Sequence, residues 1–150
     1  MEMNLEQRIM PDLKEAMKSK DQAALRGIRA IKAAILLAKT DGSGQELNQE
    51  REIKLLQKLV KRRQDSYDIF KKEGREELAQ KEKEEIEVIK KYLPEQIGEE
   101  ELKQVISAII EETGASSMKD MGRVMGLASK QLAGKSDGTT ISTFVKQMLS

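Results

Sequence analysis

The stretch KYLPEQIGEEEL, Lys91–Leu102, decides the architecture. It holds Pro94, one of two prolines in the chain, within sequence that otherwise reads as helix. Proline lacks a backbone N–H and its ring clashes with the preceding turn, so a helix interior seldom survives it. Leu93, just before it, is driven towards extended backbone. Gly98 then precedes Glu99, Glu100 and Glu101, acids suited to the positive end of a new helix. The stretch predicts a corner between an N-terminal helical domain, residues 1–93, and a smaller C-terminal one, residues 94–150.

Upstream of the corner the apolar residues recur at helical spacing and predict four helices. Leu5, Ile9, Leu13 and Met17 form the stripe of the first. Pro11 interrupts it, which predicts a regular helix beginning there with a kinked or loose segment before it. Asp21 is a good N-cap for a second helix carrying Leu25, Ile28, Ile31 and Ile35. Thr40–Glu46, TDGSGQE, reads as a polar loop, the most mobile part expected of this domain. Asn48 can cap a long third helix with Ile53, Leu56, Val60, Tyr67 and Phe70 on its stripe and Gly74 at its end. Arg63 falls on that stripe and is read as a packed aliphatic stem with its head in water. The fourth helix has Leu78, Ile86, Ile89 and Leu93 apolar, and the charges of Lys81–Glu85 on a solvated face.

Beyond the corner three helices are predicted. Leu102, Val105, Ile106, Ile109 and Ile110 make the stripe of a fifth, ending near Thr113-Gly114. Ser117 and Asp120 match a capping box before a sixth, with Met121, Val124, Met125, Ala128 and Leu132 inward and Gly134 closing it. A KSDG turn leads into a seventh with Ile141, Phe144, Val145 and Met148. So short a trio makes a marginal core, expected to lean on the corner or on a partner. The fold class predicted is all-α: a four-helix unit and a three-helix unit.

Composition bounds the chemistry. Of 150 residues, 35% are charged, only four are aromatic, and none is His or Cys. Zinc sites of the usual kind, Cys nucleophiles and Ser-His-Asp triads are thereby excluded. Glu99, Glu100 and Glu101 point in successive directions around a helix and do not converge on one cation. No catalytic residue, metal or cofactor is expected. The net charge of +1 conceals a patchwork, with residues 49–73 and 118–150 each locally +3 and the acids gathered in 75–101. No apolar run approaches the roughly 18 residues of a membrane span, and no apolar leader is seen, so a cytoplasmic location is expected.

Two features of the C-terminal domain bear on binding. Gly134-Lys135-Ser136 imitates the end of a phosphate loop, but Ser129 stands where that motif needs glycine and no strand precedes it. A helix–helix turn is the better reading. Gly122 and Gly126, one turn apart in the sixth helix, each cost about 1 kcal/mol of helix propensity. That cost suggests that something approaches closely there, either another helix or a ligand backbone; a face that meets only water is the third reading. Helix packing is expected at Gly126, and a ligand at Gly122, beside Arg123. Lys130, Lys135 and Lys146 on the same domain could face phosphates or simply be solvated.

Three ordered motifs, YLPEQI at 92–97, GASSMKDMGRVMG at 114–126 and GKSDGTTIS at 134–142, together resemble the YqeY family of small bacterial proteins. The resemblance runs the full length and is strongest from Tyr92 onward. The C-terminal part of that family is similar to the tail domain of GatB, a subunit of the glutamine-dependent aminoacyl-tRNA amidotransferase. There the tail helps to hold tRNA, while the chemistry lies in other domains. The resemblance implies a stand-alone, non-catalytic accessory protein that meets tRNA or a tRNA-processing complex. Gly122, Arg123, Gly126, Lys130, Gly134, Lys135 and Gly138 are its expected nucleic-acid contacts. The alternatives are a protein-interaction module docking its exposed N-terminal helices, or a part of a carbon–nitrogen ligase that uses glutamine as amido donor only with other subunits. The chain alone is not expected to amidate misacylated tRNA.

Overall fold

The computed structural model describes residues 3–42 and 47–150, and among these the protein is all helix. Ser43–Glu46, the greater part of the expected Thr40–Glu46 loop, lie outside the described residues. The chain forms two compact units, Met1–Leu93 and Pro94–Ser150. The first contains α1 (Leu5–Ser19), α2 (Gln22–Lys39), α3 (Gln49–Lys72) and α4 (Glu76–Lys90). The second contains α5 (Glu99–Thr113), a short 3-10 turn (Met118–Asp120), α6 (Met121–Gln131) and α7 (Gly138–Leu149). No described helix is long and apolar enough to cross a membrane.

Helix ends follow local chemistry. Asp21 and Asn48 accept the N–H of Ala24 and Arg51 and so cap α2 and α3. Gly74, at φ +74°, ends α3 with the Arg75 N–H returning to the Phe70 carbonyl. The expected late start of α1 is corrected. Asn4 and Gln7 form a capping box, and Pro11 lies within the helix rather than at its beginning. Pro11 leaves the Gln7 carbonyl without its usual donor, but Leu5 and Ile9, before it, are 1% and 0% exposed. Burial of two large side chains, about 1.5–3 kcal/mol each, equals or exceeds the roughly 3 kcal/mol that an internal proline costs. The Leu5 N–H also donates to Glu52 of α3 at 2.7 Å.

Core positions of the first unit come from all four helices: Leu5, Ile9, Leu13 and Ala16; Leu25, Ile28, Ile31 and Ile35; Leu56 and Leu59; Val88, Ile89 and Tyr92. Tyr92 donates its hydroxyl to Asp12 and lies under Arg8, whose guanidinium is 5.5 Å from the ring centroid. Burial first, then the bond to Asp12, raises the phenol pKa. Some stripe readings need correction. Leu59, not Val60, is the second buried residue of α3, and Leu78 is 39% exposed while its neighbour Ala79 is buried. The α3–α4 hairpin outruns the core, so Tyr67 and Phe70 are only half-buried.

Arg63 does not send its head to water. Its Nε lies 3.3 Å from Glu85 and an Nη donates to the Leu59 carbonyl. Arg26 of α2 reaches Glu85 as well, its Nε 3.6 Å away, and lies 2.8 Å from Glu84. That Nε is buried and just beyond hydrogen-bond length. The expected solvated run Lys81–Glu85 is thus split, the lysines exposed and Glu84 and Glu85 turned into a three-helix charge junction. Glu82, at its edge, has a raised pKa through burial first and then Glu85. The adjacent Gly27 marks a closer contact. A Cβ there would fall 2.6 Å from Val88 Cγ1 and 2.7 Å from Val88 Cβ.

The second unit closes on Leu102, Ile106 and Ile109, Val124, Ala128 and Leu132, and Ile141, Val145 and Leu149. Ile97, from the segment after Pro94, packs against this core.

Two outcomes follow for the first unit. Gly27→Ala should gain about 1 kcal/mol of helix propensity but lose more by forcing α2 from α4, a net destabilisation of about 1–2 kcal/mol in a thermal melt. Glu85→Gln should lower stability by about 2 kcal/mol, because Arg26 and Arg63 lose their shared charge; an unchanged melt would show the junction to be energetically idle.

Candidate nucleic-acid interface

The site expected from sequence centres on α6. Ser117 and Asp120 form the predicted capping box, but on the 3-10 turn that precedes α6. The Asp120 carboxylate accepts the N–H groups of Ser116 and Ser117 at 3.0 and 3.4 Å. These bonds, Ser116 first, with Arg123 nearby, hold its pKa below the usual carboxylate range against a smaller opposing effect of burial. Arg123 donates to Asp120 and to the Thr113 carbonyl at the C-terminus of α5. Its side chain nevertheless remains 55% exposed.

Val124 and Ala128 turn inward and are 0% exposed. At 100° per residue, Gly122, Gly126 and Lys130 then form a row on the opposite, exposed face, with Arg123 beside it. Leu127, 44% exposed, lies next to that row. Its place outside the inward stripe is the signal that marks it in the sequence.

The expectation that Gly126 packs on a neighbouring helix is corrected. A Cβ at Gly126 or at Gly122 would meet no atom within 4 Å. Both glycines have ordinary helical φ, so neither backbone strain nor packing accounts for them.

Gly134, Lys135 and Gly138 belong to another element. Gly134 is buried at φ +78°, a conformation that glycine adopts without penalty, so the turn itself explains it. Its carbonyl accepts the Gln96 amide at 2.6 Å, and the Lys135 carbonyl accepts the Ile97 N–H at 2.9 Å. The Pro94–Ile97 segment is thus fastened to the turn between α6 and α7. Gln96 and Ile97 were not legible as its partners, because loop-to-loop pairing has no periodicity. Asp137 caps α7 through the Thr140 N–H at 2.7 Å, and Gly138 is the first, exposed residue of that helix. The Lys135 side chain is exposed.

Four of the seven expected residues therefore share one face, with two cations and two bare backbone positions. Among the described residues, no group of three or more acids stands where it could hold a metal. Because both glycine positions are open, Gly122→Ala/Gly126→Ala should raise stability by about 1–2 kcal/mol. A melting temperature below that of the parent chain would show that a neighbour is pressed against that face.

Comparison with known proteins bears on identity. The Yqey-like protein family (YqeY) matches residues 6–149. A Pyrenophora tritici-repentis protein named "Altered inheritance of mitochondria protein 41, mitochondrial" is 30% identical over 148 residues, covering 95% of this chain and 79% of its own. Proteins of the same name from Clavispora lusitaniae and Candida glabrata are 35% and 40% identical over 126 and 85 residues. These matches cover 81% and 56% of this chain, and 69% and 47% of the relatives, so the Candida match spans under half of that protein. The relatives are eukaryotic and do not support the bacterial source that the resemblance implies. Their names also overturn the expected cytoplasmic location. The physical reason is that mitochondrial transit segments are amphipathic and Arg-rich, so apolar character does not distinguish the two compartments. The match along nearly its whole length places this chain in the Yqey-like protein family.

Proposed function

We propose that the protein is a non-catalytic accessory protein that contacts tRNA through the exposed face of α6, acting in the mitochondrial compartment that its relatives' names give. One observation carries this reading: two adjacent-turn glycines face open space, flanked by Arg123 and Lys130. Glycine lowers helix stability by about 1 kcal/mol per position, and no intramolecular contact offsets it here. A phosphate backbone comes nearest to a helix axis where side chains are absent, and the two cations stand where they could contact its phosphates. The likeness of the C-terminal motifs to the GatB tail supports tRNA as the nucleic acid. Lys135 and the start of α7 at Gly138 would extend the surface. A part in carbon–nitrogen ligation is the alternative reading, in which another subunit would supply the active site.

The test is fluorescence anisotropy of labelled, unfractionated tRNA over a salt series. Affinity should fall steeply with salt, and Lys130→Ala should reduce the slope of log K against log salt by about 1. Gly122→Ala/Gly126→Ala should bind more weakly while melting higher. Salt-independent binding, or full affinity in the alanine variant, would overturn the proposal.

A further inference from the structure

We infer that the groove between α2 and α3 is a docking site for an acidic amphipathic helix of a protein partner. The groove lies wholly in the first unit and has a volume of ≈ 300 Å³. Leu37, Leu47 and Leu55 contribute its apolar lining, and Leu37 is 70% exposed. A single exposed leucine is ordinary, but this one adjoins a half-buried apolar floor that opens to solvent.

Charge selects the occupant. α3 places Arg51, Lys54, Lys58 and Arg62 along the groove, and none of the described lining residues is acidic. Arg51 is engaged by Asp41, and Lys54 by Glu50. No carboxylate among the described residues pairs with Lys58 or Arg62, leaving two uncompensated cations beside an apolar floor. Their spacing of three to four residues follows one side of α3 for about 16 Å, or three turns. A partner helix laid alongside would set leucine-like anchors at i, i+3, i+4 and i+7 into the floor and acids against the rim. An apolar strip and a cationic edge in parallel favour such a helix over a nucleic acid, which has no use for the leucines.

The probe is a labelled synthetic helix of about 18 residues with leucines on one face and glutamates flanking them, titrated against the full chain. Controls are its scrambled isomer and a version with lysines for glutamates. The glutamate-flanked helix should bind about tenfold or more tighter than either control. Leu37→Gln should abolish binding without lowering the melting temperature, the side chain being exposed and glutamine a good helix former. Lys58→Glu/Arg62→Glu should reverse the preference towards the lysine-flanked helix. Equal binding of the scrambled peptide would reduce the face to non-specific charge and overturn the inference. So would binding of tRNA or anionic vesicles that the same double variant abolishes while the helical probe does not bind. Neither variant touches α6, so failure here leaves the tRNA reading intact, and the reverse also holds.

Discussion

The first unit depends on how closely α2 can approach α4. Gly27 sits where any side chain would collide with Val88, so the two helices cross at a distance that only a bare Cα permits. That approach brings Arg26, the next residue back, onto Glu84 and Glu85, and α3 adds Arg63 from the other side. Arginine suits the position because its planar fork can address two acids while its stem packs. In the turn just past the end of α4, the same placement carries Tyr92 to Asp12 and Arg8 of α1. One close contact thus sets the register for polar links to α1, α2 and α3.

Glycine has three separate physical meanings in this chain. At Gly27 it makes room for a neighbouring helix, and at Gly134 it supplies a left-handed turn. At Gly122 and Gly126 neither reason holds, since the space is open and the backbone is ordinary. A persistent loss of helix propensity with no internal gain is what a surface shaped for something outside the molecule would show. In the proposed reading the cations around it would suit an anionic visitor, in contrast to the α2–α3 groove, where apolar and cationic surfaces run side by side.

The segment after Pro94 has a role beyond ending a helix. A three-helix unit of this size is short of buried apolar area. Ile97 adds to its core, while Gln96 and the Ile97 N–H satisfy the carbonyls of the turn at Gly134 and Lys135. Two of the ordered motifs, at 92–97 and 134–142, are therefore partners in space. Their joint presence reflects a structural constraint as well as any binding surface.

What the sequence by itself determined is whatever depends on neighbours along the chain. Apolar periodicity, the caps at Asp21, Asn48 and Ser117, the stop at Gly74 and the break around Pro94 yield an all-helical chain, because capping and 3.6-residue amphipathicity are local. The grouping of Gly122, Arg123, Gly126 and Lys130 is equally local, being one side of a single helix. Tertiary structure decided the rest. Pro11 stays inside α1 because burial of Leu5 and Ile9 outweighs a local prohibition, and Arg63 turns inward because Glu85 arrives from another helix. Whether a glycine is crowded, as at Gly27, or bare, as at Gly126, depends on which residues distant in sequence come near. Spacing along one helix carries no information about what crosses it.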